Sequence, residues 1–305
     1  MRCWLIAGLG LWLHALPAQA TFSIVACDTE GSCGMAVATH NLAVGGSGVA
    51  WAQAGVGAVA SQFETNPHYG PRGLALLAAG RTPEQALKQV LAEDGGYDDT
   101  TVAERQVGMV DARGRQAQYT GDTARASRWS GALGGEGFSV QGNGLVGEQV
   151  LTAMRDAFTA TQGTLDERLL VALEAGDSAG GQTSGRMSAA LLVRTPQGEW
   201  RDTDLRVDSA AQPVAGLRVM LEQRQAHAAI IRAERLAAAG KDAEVDESLA
   251  RALLLAHGWD RIWARAAKLA MKRGDAAAAQ AYLAVLRTLN PGYWETVAPA
   301  VGRPS

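Results

Sequence analysis

Strand-like and helix-like segments are spread unevenly along this chain of 305 residues, and that asymmetry restricts its fold more than any other feature. Short apolar runs bounded by turn residues cover 22–26, 34–38, 56–62, 105–110, 116–120, 138–141, 187–194 and 203–207, and none follows residue 222. Apolar residues three and four apart predict helices over Gly70 to Ala79, Thr82 to Glu93, Gly147 to Thr161 and Thr164 to Ala175. Thr82-Pro83 and Thr164 suit helix starts, and Gly80, Gly163 and Gly176 suit helix stops. Strands and helices that come in groups, not in strict alternation, predict an α+β fold over 21–222 rather than a parallel doubly wound sheet.

Beyond residue 222 the chain is rich in Ala, Leu, Arg and Glu, and only helical patterns remain, near 227–239, 242–257, 260–272 and 276–289. Arg273 to Tyr282, followed by Leu289-Asn-Pro291, resembles part of a tetratricopeptide (TPR)-type hairpin. A small all-α, TPR-like segment is expected over 223–294, with 295–305 as a tail. Two hairpins are fewer than the three or so that an independent solenoid uses, so the segment is expected to dock on the first domain or to pair with another subunit in a homo-oligomer.

Residues 1–20 have the order of a cleaved secretory signal: Arg2, an apolar stretch from Cys3 to Leu16, then Ala18-Gln19-Ala20. A periplasmic or secreted protein is expected, the alternative being an uncleaved anchor. Cleavage after Ala20 would leave Cys27 and Cys33 as the remaining cysteines, on either side of a hairpin turn at 28–32. In an oxidising compartment they can form a disulfide, or they remain two buried thiols.

The same cut would make Thr21 the first residue, with a hydroxyl and a free α-amine together. An α-amine has an unperturbed pKa of about 7.7–8.0, so near neutral pH it can take the hydroxyl proton, and one residue then serves as nucleophile and base. The strand-like run from Phe22 would hold such a nucleophile rigidly.

Thr21-Phe-Ser-Ile-Val-Ala-Cys-Asp28, Asn66-Pro-His-Tyr-Gly-Pro-Arg-Gly73, Val140-Gln-Gly-Asn143, Ser188-Ala-Ala-Leu191 and Asp204-Leu-Arg-Val-Asp208 occur in this order. Together they resemble the domain of unknown function 1028 family, which is N-terminal-nucleophile (Ntn) hydrolase-like, over about Thr21 to Glu222. The resemblance implies a four-layer αββα sandwich with a threonine opening the first strand. Family members commonly carry Met directly before this threonine, where this chain has the leader. Many have a Ser-Arg pair after the second strand, where this chain has Thr39-His40-Asn41. Members can also carry a C-terminal extension described as peptidoglycan-binding, which the helical segment resembles in placement.

An Ntn reaction also needs donors for an oxyanion and a polar group that orients the amine. Strand order would bring Ser61 and Gln62 beside Thr21 as oxyanion candidates, or as strand-end caps. Asn143, in a glycine-rich turn, could supply an amide donor or simply turn the chain. Ser188 heads a strand and is weighed in the same way. Arg72 and Arg186 could grip a substrate carboxylate or form structural salt bridges. Asn66 is a further candidate, although Asn66-Pro67 most simply starts a turn. Gly142 to Gly147 satisfies G-x-G-x-x-G, but no strand ending in an acidic residue follows about twenty residues on, so no nucleotide cofactor is expected.

Lys and Arg number 28 against 31 Asp and Glu, a net charge of −3, which leaves no basic surplus for nucleic acid. His14, His40, His68, His227 and His257 stand apart from other metal-ligating residues, so no metal site is expected. The expected function is an exported amidohydrolase using Thr21 on a small amide or peptide. The alternative is a non-catalytic binding or scaffold protein whose helical tail recruits a cell-wall or protein partner.

Overall fold

The structure, a computed structural model, describes residues 20–302. The expected leader, Ala20 apart, lies outside the described residues, as does the end of the expected tail. The chain divides into two compact units, the first through Pro213 and the second from Val214.

The first unit is mixed α+β with antiparallel sheets. In chain order its strands are β1 (Thr21–Cys27), β2 (Cys33–Thr39), β3 (Ala50–Gln53), β4 (Gly57–Phe63), β5 (Arg105–Asp111), β6 (Gln116–Thr120), β7 (Trp129–Gly135), β8 (Phe138–Leu145), β9 (Ser188–Arg194) and β10 (Thr203–Val207). Its helices are α1 (Tyr69–Ala78), α2 (Pro83–Ala92), α3 (Asp122–Ala126), α4 (Gln149–Ala160) and α5 (Leu165–Ser178). One sheet has the order β10-β9-β2-β1-β8-β7, and the other β3-β4-β5-β6. The sheets face each other through β1 with β4 and β5, and β8 with β5. Helices α4 and α5 cover the first sheet, while α1 and α2 cover the second.

Most segments form where periodicity predicts them, and the differences have local causes. Strands β3 and β7 have weak signals, one being four residues long and the other, Trp-Ser-Gly-Ala-Leu-Gly-Gly, glycine-rich. Gly176 does not stop its helix: α5 continues to Ser178, and a Cβ at Gly176 would meet Met154 at 2.7 Å and Phe22 at 3.2 Å. The glycine is there so that α5 can lie close against α4 and β1. Gly142-Asn143-Gly144 belongs to antiparallel strand β8 rather than to the turn of a parallel βαβ unit.

The space between the sheets has two halves of opposite character. At one end Val25, Met35, Val37, Ala58, Ala60 and Val110 form an apolar cluster with Cys27 and Cys33. The two cysteines face each other in the β1–β2 register and are joined as a disulfide. A small closed loop restrains the unfolded chain modestly. Replacing both cysteines by alanine is therefore expected to cost about 2 kcal/mol of stability in urea unfolding. The other end of the inter-sheet space is polar and contains Thr21.

The second unit is all-α: α6 (Pro213–Ala238), α7 (Asp242–Leu254), α8 (Asp260–Lys272), α9 (Ala276–Leu289) and α10 (Pro291–Val301). Helix α6 runs unbroken across 222/223, with Pro213 at its first turn, where a missing N–H costs nothing. Helix α8 is the centre: Ile262, Ala266 and Leu269 pack toward α6 and α7, whereas Ala264, Ala267 and Ala270 pack toward α9 and α10. The segment expected as a tail is helical to Val301. Asn290 caps it by accepting from the Tyr293 N–H, and Val297 and Val301, one turn apart, are buried. Among the described residues, no helix is long and apolar enough to cross a membrane.

Candidate functional site

Side chains directly opposite in antiparallel strands share a face. Thr21 pairs with Thr39 on one side and Asn143 on the other, and Thr39 pairs with Ser188. Ser188, Thr39, Thr21 and Asn143 therefore form a polar row across the six-stranded sheet, all buried. One step along, Ser23 pairs with Gln141. From the facing sheet come Gln62 of β4 and Gln106 of β5, also buried.

The hydroxyl of Thr39 sets the direction of the bonds around Thr21. Thr39 Oγ1 donates to the Ala20 carbonyl at 2.8 Å and, having one proton, must accept at 3.0 Å from Thr21 Oγ1. It also accepts from the Asn41 N–H at 3.3 Å. The Thr21 hydroxyl is thus oriented.

Beneath this row lies a chain of side-chain hydrogen bonds between the sheets. Ser139 Oγ donates to Gln141 Oε1 at 2.9 Å, Gln141 Nε2 to Ser23 Oγ at 2.6 Å, and Ser23 Oγ to Gln62 Oε1 at 2.7 Å. Gln62 Nε2 then donates to Gln106 Oε1 at 2.8 Å and to the Thr21 carbonyl at 3.5 Å. Room for Gln141 exists because Gly108 has no side chain: a Cβ there would sit 2.0 Å from Gln141 Oε1. Buried amides carry a desolvation cost unless satisfied, so such a layer is sensitive to the loss of any member.

The residues singled out from the sequence separate into two groups. Thr21, Gln62, Asn143 and Ser188 meet in this region. Ser188 holds the turn after β2, donating to the Asn41 carbonyl at 2.6 Å and accepting from the Val44 N–H at 3.1 Å. Ser61, adjacent to Gln62, is on the opposite face of β4 by strand alternation, and its hydroxyl donates to the Asn66 carbonyl at 3.3 Å. It is not brought to Thr21. Arg72 is held bidentately by Glu93 on the surface, at 2.8 and 2.9 Å, and Arg186 by Asp177 at 2.5 Å, so each guanidinium already has a carboxylate. The bond from Arg72 draws the exposed Glu93 carboxyl down to about 2.

Asn66 belongs to a different cluster. It donates to Asp94 Oδ2 at 3.2 Å, and its Oδ1 accepts from the His68 N–H. Asp94 also accepts from Tyr69 Oη at 2.6 Å and from Arg105 Nε at 2.9 Å, inside the fold. Burial pulls the Asp94 carboxyl upward, but bonds from Arg105, Tyr69 and Asn66 outweigh it and hold the group below the usual carboxylate range. Burial is also the main cause that pushes the Tyr69 hydroxyl up, aided by its bond to Asp94.

The sequence does not single out Thr39, Ser23, Gln106 or Gln141. Ser23 and Gln141 lie within the motifs that carry the family resemblance, but what marks all four is a polar side chain at a position that strand alternation turns inward, readable once the facing strand is known. Among the described residues, no group of three or more His, Cys, Asp or Glu could hold a metal ion.

A family model described as a family of unknown function, DUF1028, matches residues 21–217. A crystal structure of a protein from Silicibacter pomeroyi, described under the same family, is similar at 34% identity and TM-score 0.59, covering 67% of this chain and 85% of that one. Comparison with curated proteins finds no match. With a family match that spans most of the chain and starts on the threonine at the head of β1, this protein belongs to the DUF1028 family.

Proposed function

We propose that the first unit is an Ntn-type amidohydrolase with the four-layer αββα architecture, exported to the periplasm or beyond and activated when its leader is cut after Ala20. The carrying observation is the place of Thr21 at the head of a central strand, its hydroxyl 3.0 Å from Thr39 Oγ1 within a buried polar layer. The start of the family match at Thr21 supports the same reading.

In the chain that begins at Thr21, Oγ1 attacks the carbonyl carbon of an amide while its proton passes to the α-amine. The tetrahedral intermediate collapses by giving that proton to the leaving nitrogen, which breaks the C–N bond and leaves an ester on Thr21. Water hydrolyses the ester and restores the hydroxyl. Thr39 Oγ1, which donates to the Ala20 carbonyl, is the donor assigned to the oxyanion. Gln62 acts as a strap on the Thr21 carbonyl, since both hydrogens of its Nε2 are engaged. The substrate class is a small amide or peptide, with a cell-wall fragment suggested by the export reading and by the helical unit.

A second reading, a non-catalytic binding protein whose helical unit recruits a partner, is favoured by the burial of Thr21. It is 5% exposed, whereas a cavity of about 300 Å³ lies elsewhere, lined by Trp51, Arg194, Asp204 and Arg206 among others. N-terminal sequencing of exported protein, followed by intact mass after treatment with a β-lactone, separates the two. The hydrolase reading expects Thr21 as the first residue and one acyl adduct on it, absent in Thr21→Ala. A different first residue, or equal labelling of the variant, would leave the binding protein as the better account.

A further inference from the structure

The orientation of the amides beside Thr21 is dictated from one place. Gln106 Nε2 donates to the carbonyls of Gly142 at 2.9 Å and Gly131 at 3.3 Å, and carbonyls cannot donate. The nitrogen of Gln106 is therefore committed to that side, and its Oε1 faces Gln62 and Asn143. Both must present nitrogen to it, as they do at 2.8 and 2.9 Å. An amide that turns its nitrogen one way turns its oxygen the other. Gln62 Oε1 receives the Ser23 hydroxyl. Asn143 Oδ1 receives no donor among the described residues, although it is fully buried.

We infer that Asn143 Oδ1 is the acceptor for the α-ammonium of Thr21 in the processed chain, and that Gln106 is the positioning residue that turns this oxygen outward from the amide layer. The inference rests on the reading of Thr21 as a liberated nucleophile. Asn143 stands opposite Thr21 in the β1–β8 register, where Cα atoms are about 4.5–5.5 Å apart, so its side chain is a direct neighbour of the nitrogen that cleavage would free to turn and carry three hydrogens. With its nitrogen engaged by Gln106, Asn143 offers this position an acceptor.

The charged surroundings of that nitrogen are sparse. Strands β1, β2, β4 and β8 carry no ionisable side chain apart from the disulfide-bonded Cys27 and Cys33. Strand β5 has Arg105 and Asp111 at its ends, paired with Asp94 and Arg115. Helix α5, on the other face of the sheet, carries Asp166, Glu167, Arg168, Glu174 and Asp177, the last held by Arg186, and His40 follows β2. Burial drives an amine toward its neutral form, whereas a hydrogen bond from the ammonium to a carbonyl oxygen favours the charged form. The Asn143 acceptor counters the burial and keeps the amine titrating near neutral pH, where it can both take and return a proton.

The test uses protein sequenced as beginning at Thr21. Carbamoylation of its α-amine by cyanate, followed by mass across a pH series and divided by the fraction of cyanic acid at each pH, reports the fraction of unprotonated amine. Labelling of Thr21 by a β-lactone over the same series reports the nucleophile. Asn143→Ala is expected to move both midpoints down by about one pH unit, and Asn143→Asp to move them up by about one unit or more, because a carboxylate stabilises the ammonium. Thr288→Ala, on the exposed surface of α9 and outside the amide layer, is expected to leave them in place. If Asn143→Asp does not fold, the Asn143→Ala midpoint decides. An unmoved midpoint in folded Asn143→Ala would overturn the inference while leaving Thr21 as nucleophile. A first residue other than Thr21 would overturn the reading of the nucleophile and this inference together.

Discussion

Arg105→Met is expected to lower the stability of the first unit by about 3–5 kcal/mol, the range for removing one partner of a buried ion pair. Arg105 is 0% exposed, and its side chain places five donors on Asp94, the carbonyls of Glu64, Tyr97 and Thr100, and Thr100 Oγ1. Methionine fills similar space but leaves the Asp94 carboxylate with the Tyr69 hydroxyl, the Asn66 amide and the Gly96 N–H and without a cation, and it releases the loop over 94–104. Asp94→Asn on top of Arg105→Met should recover part of the loss, since the stranded charge is then gone. Urea midpoints of the two variants check this; a double variant no better than the single would show that the charge is not what costs stability.

The same pair gives a pH dependence of known sign. The Asp94 carboxyl is held below its ordinary value in the fold. Its contribution to stability is therefore complete above the unfolded value of about 3.9 and is lost as the pH falls through the folded one. Wild type should lose stability on acidification below about pH 4 more steeply than Asp94→Asn, whose side chain does not titrate.

Gln106→Leu is the second large effect, with an expected loss of about 2–6 kcal/mol from two buried amide donors, Gln62 Nε2 and Asn143 Nδ2, left without their shared acceptor at about 1–3 kcal/mol each. The carbonyls of Gly131 and Gly142 lose a donor as well. Labelling of Thr21 by a β-lactone should fall about 10–100-fold, because Gln62 no longer has a fixed position from which to hold the Thr21 carbonyl. Unfolding and labelling measured on the same preparation decide this: wild-type reactivity in a folded Gln106→Leu protein would show that Thr21 is positioned without the amide layer.

Much of this architecture is written in local patterns. Strands β6 and β10 fall on the residues their alternation predicts, and Thr82 caps α2 with Gln85 completing a capping box, as the Thr-Pro start suggests. What periodicity does not carry is partnership across the fold. Ser61 and Gln62 look equivalent in sequence, yet alternation sends one outward to Asn66 and the other inward to Thr21. Arg72 and Arg186 read as anion grips until Glu93 and Asp177 are found on them. Gln106 reads as an interruption in an apolar run, and only the facing strands turn it into the junction of a network. Strand β7 escapes notice because its glycines carry no alternation; its Gly131 carbonyl nonetheless helps orient every amide beneath Thr21.

The covalent link at the far end of β1 reaches as far as its first residue. Paired positions run without interruption from Cys27 and Cys33 to Thr21 and Thr39. A slip of one place would turn every β1 side chain to the opposite side of the sheet, Thr21 with them. Once the two sulfurs are joined that slip is forbidden, so the bond works as a ruler whose zero mark is the disulfide and whose last graduation is Thr21. Only an oxidised chain carries the ruler, and alignment of the threonine is thereby tied to the redox state of the two cysteines.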